Sequence, residues 1–488
     1  MHLKWMTSRA VLTKALAALA ALFALAACDD DTFSTSPGHH LSFSTDTISL
    51  DTVFSQVPTP TKTFWVYNRS GSGLRCTNIM LAKGNQTGFR VNVDGSYLGA
   101  SSGYQVSNME VRDKDSLRVF VELTSPSNRN VDPTLLEDDL VFYLESGEVQ
   151  RVNLRAWTWD ALRCNNLVVS TDSTLHTTRP VIVYGGITVA EGATFTIGPG
   201  TTLYFHEDAG IDVHGRLLVE GTAESNVVMR GDRLDRMFDY LPYDGVSGQW
   251  RGIHFYESSY ENEVNFADIH STYDAIVCDS SDVGRLKLNL YNSVVHNCQG
   301  YGLLSTHCVV DVVNCQLTNT LRDCLAIYGG VARVMQCTIA QFYAFDANIG
   351  AALRFANFRD EHVYPLYDFT CINSLVTGRF DDVVMGEADS TATYKFAFDH
   401  CMLRTPAIDD TVNVRDVIWE LPEDTVGCGA KHFKKIDHDM LRYDFRLDSL
   451  STAIGKARAI EALPLDRRGV PRDSLPDIGC YEYVKEDL

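Results

Sequence analysis

The segment between Arg230 and Trp250 has the residue types best suited to binding, because arginines alternate there with aromatic side chains. Guanidinium groups and aromatic rings suit stacking on sugar faces, and both are enriched at protein-binding hot spots. A second segment of similar composition, 357–368, could line the same flank. The alternative is a pair of loops whose aromatic rings pack down on the protein. The residues of the possible binding loop are Arg233, Arg236, Tyr240, Tyr243 and Trp250.

Two histidines, His270 and His296, stand at the same position of neighbouring repeats that are described below. Imidazoles on adjacent strands could share a ligand or a metal ion. Without a carboxylate or thiolate beside them, however, two imidazoles make a poor metal site. The sequence therefore favours a pair of surface histidines at a strand end.

The remaining acid-rich runs and motif searches point to no catalytic centre. Asp381-Asp382, Asp409-Asp410 and Glu137-Asp138-Asp139 fit solvated loops. The chain has no CxxC pair, no HExxH motif, no phosphate-binding glycine loop and no His/Cys spacing typical of a zinc site. The sequence predicts no catalytic residue, no metal site and no cofactor.

The elements that position these side chains are repeated strands. Six segments align so that the third residue of each is small and the fifth is aliphatic. Because side chains alternate along a strand, both columns face one way, into a core. Their spacings of 26, 22, 22, 37 and 27 residues fit a solenoid with compact turns and protruding loops. The segments are NFADIHS (265–271), YNSVVHN (291–297), VNCQLTN (313–319), MQCTIAQ (335–341), INSLVTG (372–378) and DHCMLRT (399–405).

Two further columns describe the faces of this solenoid. A second inward column comprises Ala275-Ile276, Gly302-Leu303, Ala326-Ile327 and Ala352-Leu353. The outward column between the two inward positions has one acid and three apolar residues, which argues against a metal-binding face. That outward column is Asp268, Val294, Gln316, Thr338, Leu375 and Met402.

The repeat resembles a known architecture. Residues 187–221 alternate short apolar strands with glycine turns, and they resemble the opening coils of a right-handed parallel β-helix, the pectate-lyase-like solenoid. The resemblance implies this solenoid over residues 163–428. In lyases of this fold it further implies calcium bound by acidic ligands on neighbouring turns, with an Arg or Lys base nearby. The readable columns contain no such set.

Residues 41–162 show a different pattern of short β-rich runs bounded by Gly, Asn, Asp or Ser. Runs such as 64–67, 89–93 and 140–144, without a useful helical period, predict a β-sandwich. The order of these motifs resembles the immunoglobulin-like (Ig-like) N-terminal modules of bacterial surface lipoproteins. Modules of that kind act as spacers or docking surfaces.

The C-terminal segment, 429–488, contains Asp466, Arg472 and then the run PDIGCYE at 476–482. This order resembles the closing motif of many bacterial surface β-helix proteins, with Cys480 in place of the usual alanine. An open solenoid end exposes strand edges and core. The segment is therefore predicted to be a cap.

Residues 1–27 resemble a lipoprotein signal peptide. Three basic residues precede an uncharged apolar run from Ala15 to Ala27, which is too short for a membrane-spanning helix. The run ends in Leu25-Ala26-Ala27-Cys28, which resembles the lipobox at which a cysteine thiol takes a diacylglycerol. Cys28 is the predicted lipid anchor, with palmitate as a typical acyl chain, and it places the protein on a membrane.

The residues after Cys28 indicate on which face of the membrane the protein is located. Asp29, Asp30 and Asp31 resemble the surface-export signal of Bacteroidota lipoproteins, which implies the outer face of the outer membrane. The alternative is a solvated tether. Residues 28–40 are polar and contain Pro37 and Gly38, as a flexible stalk does.

The net charge of the chain excludes some classes of partner. Removing residues 1–27 takes away three basic residues and no acid, so the net charge falls from −21 to −24. Such a chain is an unsuitable partner for nucleic acid or anionic lipid.

Twelve cysteines remain beyond Cys28. Their places in the ladder favour buried free thiols, although Cys315 and Cys337 could also reach disulfide distance.

These observations predict an all-β protein with an N-terminal Ig-like sandwich, a right-handed parallel β-helix and a C-terminal cap. The predicted function is that of a non-enzymatic surface lipoprotein that binds a glycan or an outer-membrane protein complex. The alternative is a surface polysaccharide lyase or glycoside hydrolase, with calcium as the cofactor of a lyase.

Overall fold

The computed structural model describes residues 32–424 and 426–485. The predicted signal peptide, the lipid-anchor Cys28 and the export signal at 29–31 lie outside the described residues. The chain divides into two compact units, which meet in sequence at Trp159 and Asp160. Apart from three short 3-10 helices, the regular elements of the described ranges are β-strands, as the all-β prediction requires. Within the same ranges, no helix has the length and apolar character needed to cross a membrane. The helices are Ala100–Ser102, Tyr243–Gly245 and Gly429–His432.

The first unit consists of two five-stranded sheets around one hydrophobic core. The strand orders are β1-β3-β8-β5-β6 and β2-β10-β9-β4-β7, and the pairings are antiparallel except for β2 with β10. Alternate residues are buried, as in Phe89–Val93, because only one face of each sheet meets the core. The strands are β1 (Leu41–Phe43), β2 (Thr47–Phe54), β3 (Lys62–Asn68), β4 (Leu74–Leu81), β5 (Phe89–Val93), β6 (Ser96–Tyr97), β7 (Gln105–Val111), β8 (Ser116–Leu123), β9 (Thr134–Leu144) and β10 (Val149–Trp159).

One acid-rich run is not in a loop. Glu137, Asp138 and Asp139 lie within β9, so the prediction of a loop there was wrong. The Asp138 carboxylate is buried and accepts hydrogen bonds from the backbone N–H of Lys83 at 3.0 Å and the hydroxyl of Thr87 at 2.7 Å. These donors compensate the buried charge.

The second unit is a parallel-sheet solenoid, consistent with a β-helix. Of the 32 strands of this unit within the described ranges, 26 form one sheet in which every pairing is parallel, and successive turns stack through three columns. The strands are β11 (Leu162–Val169), β12 (Ser173–Leu175), β13 (Val181–Val189), β14 (Thr194–Ile197), β15 (Thr202–Phe205), β16 (Ile211–Val213), β17 (Arg216–Glu220), β18 (Val227–Gly231), β19 (Arg236–Phe238), β20 (Leu241–Pro242), β21 (Ile253–Phe255), β22 (Asn262–Asn265), β23 (Ala267–His270), β24 (Ile276–Cys278), β25 (Leu288–Tyr291), β26 (Val294–Cys298), β27 (Leu303–Val313), β28 (Gln316–Thr320), β29 (Leu325–Met335), β30 (Thr338–Gln341), β31 (Leu353–Ala356), β32 (Phe358–Arg359), β33 (His362–Val363), β34 (Leu366–Ile372), β35 (Leu375–Gly378), β36 (Val384–Glu387), β37 (Tyr394–Asp399), β38 (Met402–Leu403), β39 (Val414–Arg415), β40 (Ile418–Trp419), β41 (Phe433–Asp437) and β42 (Arg442–Leu447).

The three columns define three faces. The first face contains β16, β21, β24, β31, β36 and the first halves of β27 and β29. The second face contains β17, β22, β25, β34, β37 and the second halves of β27 and β29. The third face contains β18, β23, β26, β28, β30, β35, β38 and β40. The strands β19–β20, β32–β33 and β41–β42 form separate antiparallel hairpins.

The third face confirms the main predicted column. The pairing register joins Ile269 to Val295 and continues residue by residue up the stack, and all six aliphatic side chains are buried. The second predicted column is right except at one turn, where Leu325 rather than Ile327 pairs with Leu303. A two-residue slip leaves every side chain on its own side of the sheet, so the apolar pattern cannot detect it. The joined residues are Ile269, Val295, Leu317, Ile339, Val376 and Leu403.

At the corner before the third face, one residue of each turn has the left-handed backbone conformation. The second residue of each aligned segment has a positive φ, for example 47° at Asn292 and 58° at Asn314. Asparagine tolerates this conformation better than most residues. The amide of Asn314 also donates to Asn292 Oδ1 at 2.7 Å, and Asn292 donates to Asn265 Oδ1 at 3.0 Å. This ladder satisfies polar groups at the turn and fixes the stacking of neighbouring turns.

The twelve cysteines among the described residues are free thiols, and ten of them are buried. Cys315 and Cys337 share the small inward column with Ser293, and each thiol donates to the backbone carbonyl two residues earlier, at the end of the preceding strand. Burial raises the pKa of the Cys315 thiol to about 12. The preference for free thiols over a Cys315–Cys337 disulfide is confirmed.

The C-terminal segment packs along the third face. Ile478, Cys480 and Tyr481 share a hydrophobic cluster with Leu375 and Met402, two members of the outward column. The column predicted to face outward is thus largely buried beneath this segment. We call residues 455–483 the strap.

The PDIGCYE run fixes the strap to the third face. The Tyr481 hydroxyl donates to Gln316 Oε1 at 2.7 Å, and the Cys480 N–H donates to Thr338 Oγ1 at 3.1 Å. At Gly479 a Cβ would lie 2.7 Å from Thr338 Oγ1, and φ is +108°. Glycine at this position of the motif therefore permits a close approach to the solenoid. The predicted capping role gave no indication of this lateral position.

Candidate functional site

Two open clefts lie on the first face of the solenoid. The strands of the first face begin with the paired inward residues Ile253, Ile276, Leu303 and Leu325. The residue two positions before each of them belongs to a row that runs along this face, with one member on each successive turn. Adjacent turns are about 4.8 Å apart. The row therefore offers a guanidinium, a carboxyl and a phenol in close succession, while the carboxyl of its fourth member is buried and pairs with Arg354. Its members are Arg251, Asp274, Tyr301 and Asp323.

The first cleft is acidic and has a volume of about 310 Å³. Arg251 forms a two-pronged ion pair with Asp212, at 2.8 and 3.3 Å. His254 Nε2 lies 2.9 Å from Asp279 Oδ1. The Arg251–Asp212 pair fixes part of the wall, because a two-pronged, charge-assisted contact is one of the stronger kinds. The ionisable and aromatic lining residues are Glu207, Asp208, Asp212, Trp250, Arg251, His254, Tyr273 and Asp274.

Asp274 joins this cleft to the next one. Its Oδ1 accepts the backbone N–H of Tyr301 at 2.7 Å, which uses one of the two carboxyl oxygens. Burial raises the pKa of Asp274 above its ordinary value, although that N–H and the charges of Arg322 and Arg359 act in the opposite direction. A cleft carboxyl that holds its proton more tightly is a candidate proton donor.

The second cleft has a volume of about 460 Å³ and is lined by arginines and aromatic rings. The Arg322 guanidinium lies 5.6 Å from the centre of the Tyr301 ring, and Arg359 lies 5.4 Å from that of Tyr328. Arg359 also donates to the hydroxyl of Thr306 at 3.2 Å. These contacts hold flat groups in place at an open surface. The lining residues are Tyr301, Arg322, Tyr328, Phe358, Arg359, Asp360 and Glu387.

The predicted binding loop is only partly exposed. Trp250 is buried, its ring stacks on Phe205 at 4.1 Å, and its N–H donates to the carbonyl of His270 at 2.8 Å. Its indole is therefore a core group and is unavailable to a ligand. The Arg233 guanidinium covers the ring of Tyr243 at 3.8 Å.

The exposed tip of this loop contains one predicted residue, Tyr240, and one that the prediction did not include, Phe238. Phe238 and Tyr240 are 55% and 39% exposed, and their rings stack at 5.7 Å. Arg236 donates to the carbonyl of Asp239 at 3.0 Å. The loop leaves the solenoid between β18 and β21, whereas 357–365 leaves between β31 and β34. The two segments therefore stand at different corners and do not line one flank, contrary to the prediction.

The histidine pair is not a pair of surface histidines. His270 is buried, and its ring stacks on that of His296 at 4.7 Å. Its Nδ1 lies 2.8 Å from Asp268 and its Nε2 lies 2.7 Å from Asp244, while His296 Nε2 lies 3.1 Å from Asp268. The sequence concealed these carboxylates, because Asp244 arrives from the loop and Asp268 was assigned to a neighbouring outward column.

This chain of hydrogen bonds connects the loop to the solenoid. Burial disfavours a charged His270, but Asp268 and Asp244 outweigh it and raise the His270 pKa to about 9. The Asp244 pKa falls to about 2, because the contacts with His270 and Arg230 exceed the effect of burial. At neutral pH His270 is thus an imidazolium between two carboxylates.

The stabilisation by His270 is expected to fade in alkali. A pKa raised from 6.5 gives stability that is complete below about pH 6.5 and is lost as the pH rises through about 9. Between pH 6 and 10, the free energy of unfolding of the wild type relative to His270→Gln should fall by about 2 kcal/mol, since Asp244 is half exposed and screened. Urea titrations across this range measure it. His214→Gln, at a histidine that stacks on Tyr256, is the control. A pH-independent difference would show that the imidazolium is absent.

Comparison with known proteins gives no family. No protein-family model matches the chain, and no curated protein matches it. A solved protein of unknown function from Porphyromonas gingivalis W83 is 15% identical, with a TM-score of 0.19, over 28% of this chain and 58% of that one. The ASH/PapD-like domain 7 of human CEP192 is 11% identical, with a TM-score of 0.17, over 27% of this chain and 92% of that domain. This chain thus spans little more than half of the Porphyromonas protein, and likeness at this level indicates neither shared activity nor shared ligand.

Proposed function

We propose that this protein is a lipid-anchored surface protein of the Bacteroidota type whose solenoid binds a glycan along its first face. In this proposal Cys28 is the anchor, 29–31 the export signal and 28–40 the tether, although Phe33 and Ser34 within it pair with Gly73 of the first unit and are therefore not free. The first unit is an Ig-like spacer and the second a right-handed, pectate-lyase-like β-helix. The observation that supports glycan binding is the pair of adjoining clefts, in which tyrosines and arginines lie beside carboxyl groups.

A glycan fits this surface better than a protein complex does. Sugars present apolar ring faces and hydroxyl groups together, and the second cleft is lined by aromatic rings together with guanidinium and carboxylate groups. The row from Arg251 to Tyr301 places such groups on three successive turns, as a linear polymer requires. The mature net charge argues against anionic lipid headgroups as the ligand.

Binding to immobilised neutral and acidic polysaccharides tests the proposal. We expect the purified protein to bind at least one class with micromolar or tighter affinity, as measured by biolayer interferometry. Soluble fragments of the same polymer should compete. Binding to no polysaccharide, together with recovery of a stoichiometric outer-membrane protein partner from detergent extracts, would replace the glycan with the protein complex.

A glycoside hydrolase is the second candidate, and the raised pKa of Asp274 is the observation that favours it. Glycosidases use one carboxyl as an acid and another as a base or nucleophile, and the first cleft also contains Asp208 and Asp212. A lyase would require calcium ligands. Among the described residues, the groups able to share a cation each include a histidine rather than carboxylates alone.

Analysis of the bound polysaccharide for new reducing ends separates binding from hydrolysis. Product that disappears in Asp274→Asn, while binding persists, would establish the hydrolase. Binding without product supports the proposed non-enzymatic function.

A further inference from the structure

Three groups of side chains in the described ranges have ligand atoms close enough to share a metal ion. In the group around His270, imidazole nitrogens lie 2.7–3.1 Å from carboxylate oxygens. Those are hydrogen-bond distances, so protons already occupy the space between these residues. In the group around His400, Nδ1 lies 2.7 Å from Asp399 and Nε2 lies 3.9 Å from Asp416, but the Asp416 carboxylate is 73% exposed and solvated. The third group, Glu420, Cys428 and His432, has a different geometry.

In the third group the ligand atoms are separated as they are around a metal. The ligand atoms of the three residues all lie within 4.8 Å of one another, and His432 Nε2 lies 3.7 Å from Glu420 Oε1. That distance is too long for a hydrogen bond. Two ligands each about 2.0–2.1 Å from one tetrahedral ion lie roughly 3.3 Å apart, and a somewhat wider angle gives the observed separation.

The His432 side chain independently indicates a missing partner. It is fully buried, its Nδ1 lies 2.8 Å from the hydroxyl of Ser451, and its Nε2 has no hydrogen-bond partner. A buried nitrogen without a partner is unfavourable, and native proteins rarely leave one. The orphaned nitrogen is the atom that faces Glu420.

The surroundings hold the proposed ligands as outer-shell groups do. The Thr377 hydroxyl donates to Glu420 Oε2 at 2.8 Å, and the Gly429 N–H donates to Oε1. Arg404 lies 3.2 Å from Oε1, but it also pairs with Asp381 at 2.9 Å, which balances its charge. Ser451 sets the tautomer and the ring orientation of His432.

We propose that Cys428, His432 and Glu420 bind one divalent ion of the zinc type. Thiolate, imidazole and carboxylate are the ligands that zinc selects, and a three-residue set leaves one coordination position open. That position faces a cleft of about 420 Å³ lined in part by Trp419, Glu423, Asp424 and Thr452, where water completes the coordination. On binding, the Cys428 thiol releases its proton to solvent, since the thiolate is the ligand.

The ion would join two parts of the second unit. Glu420 directly follows β40, the last strand of the third face, while His432 ends the 3-10 helix that precedes the β41–β42 hairpin. A shared ion therefore ties the end of the solenoid to the beginning of the C-terminal segment. This role does not depend on the glycan proposal.

Metal titration of the chelator-treated protein tests the site. We expect one equivalent of Zn²⁺ to bind with submicromolar affinity and to raise the melting temperature. Co²⁺ should give tetrahedral d–d bands and a thiolate charge-transfer band in the near ultraviolet. The charge-transfer band should vanish in Cys428→Ser and persist in Cys164→Ser, the matched control at a half-buried thiol.

Thiol protection tests the site in the wild type and needs no substitution. One equivalent of Zn²⁺ should slow alkylation of Cys428 at least tenfold and leave Cys164 unchanged, as measured by peptide mass spectrometry. Removal of His39 and His40, an adjacent pair that could bind zinc adventitiously, should not alter the protection. Unchanged alkylation of Cys428 in excess Zn²⁺, or a cobalt spectrum without thiolate character, would overturn the proposal.

Discussion

Replacing Tyr301 and Arg322 together with alanine is expected to weaken glycan binding about 100-fold, or about 2.7 kcal/mol. The two side chains line the second cleft, and the guanidinium lies 5.6 Å from the ring centre. Aromatic and arginine hot-spot residues commonly contribute about 2 kcal/mol each, and a contacting pair contributes less than the sum. Equilibrium binding to the polysaccharide identified for the wild type measures the loss.

The control for this variant is the same residue pair elsewhere on the solenoid. Arg285 lies 4.0 Å from the centre of the Tyr260 ring, and neither residue lines a cleft of the first face. The double alanine variant of this pair should bind the glycan within about twofold of the wild type, because it removes similar surface away from the site. Equal losses in both variants would mean that binding is spread over the surface and does not use the clefts.

The solenoid could be predicted because its core repeats with the chain. Ile269, Val295 and Leu317 occupy equivalent positions of short strands, and their alternation with polar residues fixes which side faces inward. The ladder of small residues beside them also predicted free thiols correctly. The register between Leu303 and Leu325 was missed, because both alternatives bury a leucine or an isoleucine.

The candidate site was harder to predict, because its residues belong to different turns and lack a common type. Arg251, Asp274 and Tyr301 share one row only after the register is known. The signal in the sequence is their common position, two residues before an inward aliphatic residue. The predicted loop residue Trp250 was misleading, since an indole beside a glycine turn serves the core as readily as a ligand.

The Cys428–His432 spacing illustrates a different limit of prediction from sequence. A cysteine and a histidine four positions apart match no full zinc motif by themselves. The third member, Glu420, reads as an ordinary acid near a strand end, and only folding brings it within 3.7 Å of the imidazole. Single clusters of this kind are decided by tertiary contacts, which local patterns do not encode.

The charged residues in and before the PDIGCYE run have structural roles in the strap. Asp466 accepts backbone N–H groups from Arg468, Val470 and Glu482, and thereby closes the turn before the run. Arg472 donates to Glu482 Oε2 at 3.0 Å and to Asn314 Oδ1 at 2.9 Å. The motif therefore binds the chain end to the asparagine ladder, and its charged residues have structural partners.

Replacing Arg472 with leucine is expected to destabilise the protein by about 3–5 kcal/mol, the usual cost of leaving one member of a buried ion pair alone. Both side chains of the pair are more than nine-tenths buried. Loss of the guanidinium strands the Glu482 carboxylate and removes the contact with Asn314. Urea unfolding measures the free energy, and binding of a hydrophobic dye reports exposure of Leu375 and Met402 as the strap detaches.

Two further variants test whether the unpaired, buried charge of Glu482 causes the loss of stability in Arg472→Leu. Arg446→Leu removes a partly exposed arginine that pairs with Asp444 in the same C-terminal segment, and it should cost less than about 1 kcal/mol. Adding Glu482→Leu to Arg472→Leu should recover part of the lost stability, since no charge is then left unpaired in the core. If the double variant is instead less stable than Arg472→Leu, the strap depends on the hydrogen bonds that the Glu482 carboxylate accepts from the backbone N–H groups of Asp473 and Asp477, rather than on the ion pair.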